Sequence, residues 1–358
     1  MRIVVASDHL PPHRSGHAVA AAWWIRALAD AGHDLTVVAD APPLPGLDVD
    51  GRRLPVLPGF VPGHPLAALR PIGRTLADLA DLRPDVVHLH GYGPACRHVV
   101  RALPGVPVVV TVHALPEGSG APLAALTTPV LRHLLRATVR AASGVTVPSQ
   151  VARERLRDAI GPTPEARTFV VPVGVDPVFA PNGGRSERAS DRPTFVYVGR
   201  RSASKGFELF ERLARRHPDA DWHAVGDGPA GPEAPYRVTP QADAATVAAA
   251  LRSADALLAP GLHETQGLVV LEALHCGTAV AAPRGSAQAE AVVDGVHGAL
   301  FDPGDDDATW TALRRAADRT RNGDVAPPAG FERDALVDRM VGALLTALEG
   351  DDPPDDER

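Results

Sequence analysis

A single lysine stands among the 36 Lys and Arg residues of this 358-residue chain. It is Lys205, in the loop Gly199-Arg200-Arg201-Ser202-Ala203-Ser204-Lys205-Gly206 that follows the apolar run Thr194 to Val198. Ammonium and guanidinium are not interchangeable at a phosphate, so a lysine kept in an arginine-using chain marks a point-charge role. Arg200 and Lys205 lie five residues apart on one loop that leads into a helical pattern. Two such cations can grip a diphosphate from two sides, with the helix N-terminus adding backbone donors. An isolated basic loop is more often simply solvated; the singular lysine moves the reading toward a site.

A second group follows the apolar run ending at Ala259-Pro260: His263-Glu264-Thr265-Gln266-Gly267-Leu268, continuing through Val269-Val270-Leu271-Glu272-Ala273-Leu274-His275-Cys276-Gly277. Glu264 falls on the loop, Gly267-Leu268 at a helix start, and Glu272 one turn inside. A glycine at that start lets a phosphate reach bare N–H groups. A carboxylate one turn further in can accept from two vicinal hydroxyls, as in a ribose. Apolar neighbours make a carboxylate costly unless it binds something, and Glu272 sits between Leu271 and Ala273-Leu274.

The first half carries histidines instead. His9, His13 and His17 crowd the loop after the first strand and, with His90, are candidate acceptor contacts; plain polar loop residues are the alternative. His88 and His90 alternate on one strand and face one side, but no third ligand is adjacent, so no metal site is expected. His113 closes a strand, where a lone histidine is as often structural as functional. Asp48-Val49-Asp50 has a D-x-D form in a Pro-rich loop and is read as coincidence. Arg132, Arg136 and Arg140 recur at helical spacing beside Leu131, Leu134, Leu135 and Val139. Such a face can dock on an anionic membrane, but a solvated face is favoured. Cys96 and Cys276 form no metal-ligand spacing and fit a reduced compartment.

The elements that must hold these residues alternate. Residues 2–6 read as a buried parallel strand, 18–31 as a helix stopped at Gly32, and 35–39 as the next strand. Strands at 85–90, 106–112 and 144–147 follow, with a helix over 123–142. The Pro/Gly-rich stretch 42–65 reads as a long loop. After the polar segment 176–193 the alternation resumes, with strands at 194–198, 222–225, 256–259 and 279–282. Helices fall at 207–216, 243–253 and 268–276, and a last amphipathic helix spans 333–348. Apolar strands alternating with helices predict doubly wound parallel α/β units, whose ligands bind at the carboxyl ends of the strands.

Hydrophobic residues make up 45% and charged residues 22%, the balance of a folded chain. No run of 18 apolar residues exists, so no transmembrane helix is expected. The N-terminus has one basic residue before a four-residue apolar run, which predicts no secretory signal and a cytoplasmic protein. Net charge is −7, divided between residues 1–175 (17 Arg against 13 Asp and Glu) and 176–358 (19 Lys and Arg against 30 Asp and Glu). The resulting excess in the first half is too weak for a nucleic-acid binder.

Taken together, the motifs resemble those of a known family. The chain is similar to retaining glycosyltransferases of family four, which have the GT-B fold. The resemblance rests on Gly199-Arg200 with Lys205-Gly206, on Gly226-Asp227-Gly228-Pro229, and on the E-x7-E element Glu264 to Glu272 running into Ala273-Leu274-His275-Cys276-Gly277. It extends to Glu290-Ala291-Val292-Val293-Asp294-Gly295-Val296-His297-Gly298 and, in the first half, to the Gly16 loop, Val112-His113 and Val147-Pro148-Ser149. It implies two facing Rossmann-like doubly wound domains, 1–176 on the acceptor side and 193–332 for the donor. Residues 333–350 would form a C-terminal helix returning to the first domain, and 351–358 a disordered acidic tail.

The resemblance further implies a nucleoside-diphosphate sugar as co-substrate, a UDP-sugar foremost, a hydroxyl acceptor, and no bound metal or other cofactor. Arg200 and Lys205 would neutralise the diphosphate, and Glu272 would hold the ribose hydroxyls. Glu264 would face the donor sugar, with Thr265 and Gln266 beside it, while Gly267 and Leu268 donate to phosphate. The base would meet the backbone of Arg237-Val238-Thr239. Gly16 would let its loop approach the donor, and His113 would lie near the transferred sugar, completing a catalytic set with Arg200, Lys205 and Glu264. The family usually has a glycine pair where Ser15-Gly16 stands, Asn at Val173, and a glycine pair near Gly285-Ser286-Ala287. These departures touch the sugar contacts rather than the diphosphate site. The compact first domain favours a small soluble or natural-product acceptor. The alternatives are a catalytically silent sugar-nucleotide-binding subunit, and a lipid or cell-envelope glycan transferase at a membrane surface. A pyridoxal-dependent phosphorylase is disfavoured, since the one lysine is already assigned.

Overall fold

The computed structural model describes residues 1–13, 15–39, 44, 46–53, 56–61, 64–67, 79–116, 124–162, 167–181, 192–229, 233–323 and 325–349. Most of the expected linker (182–191) and the expected disordered tail (351–358) lie outside the described residues.

The first domain is built around β1 (Arg2–Ser7), buried without a break from Ile3 to Ser7, as a central parallel strand must be. α1 (Gly16–Asp30) follows and buries Trp24, Ile25 and Leu28 against the sheet. Ser15 is its N-cap, accepting from the Ala18 N–H. The residue that departs from the family's glycine pair therefore serves as a cap. β2 (Asp34–Ala39) pairs in parallel with β1. β3 (Asp50–Arg53) joins the outer edge of β2, and β4 (Val56–Val61) and β5 (His64–Ala67) form an antiparallel hairpin. The long loop expected over 42–65 is thus corrected to three strands. The Asp-Gly-Arg-Arg edge strand has no apolar period to announce it, and the Pro and Gly residues of the hairpin read as breakers.

β6 (Val86–His90), α2 (Pro94–Ala102), β7 (Val108–Thr111), α3 (Ala124–Ala141), β8 (Gly144–Val147), α4 (Gln150–Ile160) and β9 (Thr168–Val170) complete a parallel sheet of order β3-β2-β1-β6-β7-β8-β9.

The second domain runs β10 (Thr194–Val198), α5 (Phe207–Arg216), β11 (Asp221–Val225), β12 (Arg237–Thr239), α6 (Ala244–Ser253), β13 (Ala256–Leu258), α7 (Leu268–His275), β14 (Val280–Pro283), β15 (Gly298–Phe301) and α8 (Asp306–Arg321). Its sheet order is β12-β11-β10-β13-β14-β15. Strand order reverses between β10 and β13 here, and between β1 and β6 in the first domain. Such a switch point opens a crevice at the carboxyl ends of the strands.

The last helix, α9 (Arg333–Glu349), does not stay with the second domain. Its Leu336, Met340, Leu344 and Ala347 share a core with Ile3, Val5, Trp24 and Leu28. Arg333 is hydrogen-bonded to Asp30. No helix among the described residues is long and apolar enough to cross a membrane.

Candidate active site

The two loops of the second-domain switch point touch. A Cβ on Gly206, which has φ +70°, would stand 2.7 Å from the Pro260 carbonyl oxygen, so only glycine lets the loops close to this distance. Across this contact Lys205 Nζ donates to Glu264 Oε1 at 2.5 Å. The structure thus brings together two residues that lie 59 positions apart in sequence. Arg200 is exposed, and its guanidinium makes no ion pair or hydrogen bond among the described residues; its carbonyl accepts from the Tyr197 hydroxyl at 2.7 Å.

Its neighbour Arg201 behaves oppositely. It is 6% exposed and donates to the carbonyls of Gly226, Gly228 and, at 3.1 Å, Pro229. It stitches the Gly226-Asp227-Gly228-Pro229 loop to the strand end. Nothing in an Arg-Arg pair tells which member turns inward, and sequence reasoning missed this one.

Gly267 is left-handed (φ +78°) and caps α7; a Cβ there would meet Gln288 Cγ at 2.4 Å. One turn further, the Glu272 carboxyl has no hydrogen-bond partner among the described residues. Burial, helped by the nearby charge of Asp176, pushes its pKa up to about 7. It is therefore an acceptor held in readiness, at an energetic cost to the fold.

The intervening loop is committed to the first domain. Thr265 Oγ1 donates to the His113 carbonyl at 2.6 Å, and the Thr265 carbonyl accepts from Ser149 Oγ at 2.6 Å. Gln266, expected at the donor, has its side-chain amide taken up by the backbone of Val173. Nε2 donates to the Val173 carbonyl at 2.7 Å, and Oε1 accepts from the Val173 N–H at 2.9 Å. A primary amide matches a peptide edge in the manner of a strand pair. Arg155 donates to the carbonyls of Leu262 (2.6 Å) and Glu264 (3.3 Å). Glu290 accepts from Gln150 N (2.9 Å) and Val151 N (2.7 Å), capping α4 from the opposite domain.

Arg237-Val238-Thr239 forms β12, the edge strand of the sheet. Arg237 Nη2 and Thr239 Oγ1 both meet His223, at 2.9 and 2.8 Å. Burial, with Arg237's charge, lowers His223 to about 4. Both side chains are thus engaged by His223, Arg237 remaining exposed, while the outer backbone groups of an edge strand stay outside the sheet ladder.

The first-domain switch point is lined with imidazoles. Ring centroids are 5.2 Å apart for His9–His13, 5.7 Å for His9–His17, 5.0 Å for His17–His113, 5.0 Å for His113–His90 and 4.2 Å for His90–His88. His90 Nδ1 and His113 Nε2 share a hydrogen bond of 2.7 Å, His17 Nε2 donates to the His90 carbonyl at 2.9 Å, and His88 Nε2 meets Thr111 Oγ1 at 2.7 Å. Burial drives His90 and His113 well below the usual imidazole range and His88 to about 3, so all three are neutral at pH 7.

His90, expected to touch an acceptor, is 0% exposed and lies behind His113; it cannot do so. His9, His13 and His17 are half-buried, and a Cβ on Gly16 would meet nothing within 4 Å. Asp8 was missed by sequence reasoning. It accepts from the Gly93 N–H at 2.6 Å, and a Cβ on Gly91 or Gly93 would stand 2.6 Å from its carboxyl group. Its signal was a lone acidic residue directly after a buried strand.

On α3, Arg136 donates to the Ile160 carbonyl at 3.0 Å, while Arg132 and Arg140 are exposed. Val130 and Leu131 are 59% and 39% exposed. Among the described residues no three His, Cys, Asp or Glu side chains form a metal-binding group.

The site therefore offers cations, a helix N-terminus and a carboxyl without a partner among the described residues on one side, and a neutral histidine on the other. A family model described as Glycosyltransferase Family 4 matches residues 14–179, and one described as Glycosyl transferases group 1 matches residues 192–319. The chain is 30% identical over 313 residues to the phosphatidyl-myo-inositol mannosyltransferase of Mycolicibacterium smegmatis, covering 80% of this chain and 77% of that one. It is 29% identical over 322 residues to the sulfoquinovosyl transferase SQD2 of Arabidopsis thaliana, covering 81% of this chain and 61% of that protein's length. Among solved structures, Anabaena Alr3699/HepE in complex with UDP and glucose superposes with a TM-score of 0.71 at 16% identity. That alignment covers 97% of this chain and 100% of the other.

Proposed function

The chain belongs to glycosyltransferase family 4, and from that premise we propose that it transfers a sugar, with retention of anomeric configuration, from a UDP-sugar to a hydroxyl acceptor. The observation that carries the donor side is the Lys205–Glu264 contact at the switch point, with the guanidinium of Arg200 on the same loop unpaired among the described residues. Arg200 and Lys205 offset the charge that develops on the leaving diphosphate, and the N–H groups opening α7 add to this. Glu272 accepts from the ribose hydroxyls. The bond from the anomeric carbon to the diphosphate oxygen breaks, the acceptor oxygen bonds to the same face, and its proton passes to the departing phosphate oxygen. No carboxylate nucleophile is required. A UDP complex of a structural neighbour supports the choice of base.

The cations of the chain take the role that a divalent ion plays elsewhere, so neither metal nor organic cofactor enters the proposal. Incubation with UDP-sugars and a panel of soluble hydroxyl acceptors tests it. Release of UDP should match formation of a product of unchanged anomeric configuration. EDTA should alter the rate by less than about twofold. An inverted product, or EDTA inhibition reversed by Mg2+, would contradict the proposal.

We place the acceptor among small soluble molecules, reached over the half-buried His9, His13 and His17 on a first domain without a long insertion. A second reading has an observation of its own. Val130 and Leu131 stand exposed beside Arg132 and Arg140, the composition of a helix that lies on an anionic lipid surface. One relative's name carries a lipid acceptor. Sedimentation with anionic but not neutral vesicles, lost in Arg132→Glu/Arg140→Glu, would favour this second reading.

A further inference from the structure

His113 is held from two sides. Thr265 fixes its backbone through a 2.6 Å hydrogen bond from the donor loop, and His90 fixes its ring through the 2.7 Å contact between Nδ1 of His90 and Nε2 of His113. In that contact one nitrogen must carry the proton and the other must accept it, because burial keeps both rings neutral. The opposite nitrogen of His90 decides which. Nε2 of His90 is buried and meets no hydrogen-bond partner among the described residues.

A buried N–H without an acceptor is rarer and costlier than a buried bare lone pair. The proton of His90 therefore sits on Nδ1, where it has a partner, and Nε2 is left bare. Nδ1–H of His90 then donates to Nε2 of His113, and the proton of His113 must lie on its own Nδ1. That nitrogen makes no hydrogen bond among the described residues, and the backbone of the same residue is tied to the donor loop.

We infer that His90 is a positioning residue that fixes His113 in the Nδ1–H tautomer, so that His113 presents a hydrogen-bond donor to the bound sugar. The part concerning the sugar rests on the transferase reading; the tautomer does not. His90 touches no substrate and acts only through His113. The flanking side chains agree with this arrangement. His17 donates to the carbonyl of His90 rather than to a ring nitrogen, and His88 is turned to Thr111. Neither competes for the His90–His113 bond.

The test is a long-range proton–nitrogen correlation spectrum of the full chain with 15N-labelled histidine, recorded without substrate and assigned with His113→Gln. His113 should show a protonated Nδ1 and a bare Nε2. In His90→Asn the side-chain amide nitrogen can occupy the place of Nδ1–H, so the tautomer and most of kcat should survive. In His90→Leu the donor is gone; His113 should become a mixture of tautomers, with kcat falling roughly tenfold and KM for the donor little changed. A wild-type His113 protonated on Nε2 would overturn the assignment, as would a His90→Leu protein with wild-type tautomer and kcat. Should His90→Leu not fold, the wild-type and His90→Asn spectra decide alone. If the tautomer is as assigned while no sugar is transferred, the transferase reading fails and the tautomer assignment stands.

Discussion

Lys205 and Glu272 occupy opposite electrostatic situations, and each makes a separable prediction. Lys205→Ala should lower kcat/KM at least tenfold, the cost of about 1.5–3 kcal/mol for a charge-assisted contact with the diphosphate. Lys205→Arg should restore little, since a planar guanidinium cannot take the place of a compact ammonium against Glu264. Steady-state kinetics with the best donor checks both. Glu272 stays protonated in the folded chain up to about pH 7, whereas an unfolded glutamate ionises near 4.5. Between those values the folded state holds more protons, so stability falls as pH rises through the window, and the whole penalty is present above pH 7. Glu272→Gln should therefore melt higher than wild type at pH 8, by about 5 °C, and equally near pH 4.5. The same variant should bind nucleotide at least tenfold more weakly, because the ribose contact is lost. Equal melting at both pH values would contradict the burial. Unchanged binding would contradict the ribose role. At this scale Lys205 and Glu272 were legible because each is chemically out of place, one as the sole lysine and the other as a carboxylate among apolar neighbours. Arg201 and Asp8 were not. Their importance lies in backbone groups brought from other loops, which no local spacing records.

The segment from Leu262 to Gly267 acts as a clasp as much as a binding loop. Its backbone carbonyls, the Thr265 hydroxyl and the Gln266 amide all engage the first domain. Gln266→Ala should leave the Val173 N–H and carbonyl buried without partners, at a cost of about 1–3 kcal/mol. Thermal melting should fall by several degrees, while UDP affinity changes less than in Lys205→Ala. A Gln266→Ala protein of wild-type stability that cannot bind UDP would instead show the Gln266 side chain acting at the donor site. Elements with strong periodicity, such as α5 and α9, could be read from sequence to within a residue or so. β3 and the β4–β5 hairpin could not. An edge strand pairs through its backbone on one side only, so its side chains need carry no apolar alternation. The side-chain partner of Gln266 was not legible for a related reason: it is a peptide unit 93 residues away.

At the scale of the molecule, two parallel sheets among the described residues are joined by hydrogen bonds between their loops, and a helix from the far end of the chain packs into the first domain's core. Leu336, Met340 and Leu344 of α9 are fully buried in the first domain's core. Removing residues 333–358 should therefore unfold the first domain, although the deleted segment follows the second. Loss of the cooperative melting transition in that truncation would show it; a truncated protein melting with wild type would contradict it. The two-domain α/β plan was legible from the alternation of strand and helix. The facing of the two domains followed only from the family resemblance; the contacts that hold it, such as Ser149–Thr265 and Glu290–Gln150, were not legible, being single hydrogen bonds between distant loops. The central claim is that the β10/β13 switch point binds a nucleoside diphosphate through Lys205. Its most direct test is a thermal-shift panel of UDP, GDP, ADP, CDP and dTDP on wild type and Lys205→Ala. A nucleotide at 100 times its Kd should stabilise the protein by about 2.7 kcal/mol, a rise of a few degrees. UDP should raise the wild-type melting temperature and leave Lys205→Ala nearly unmoved. A wild-type protein that responds to none of the five, or a variant that responds as strongly as wild type, would contradict the claim.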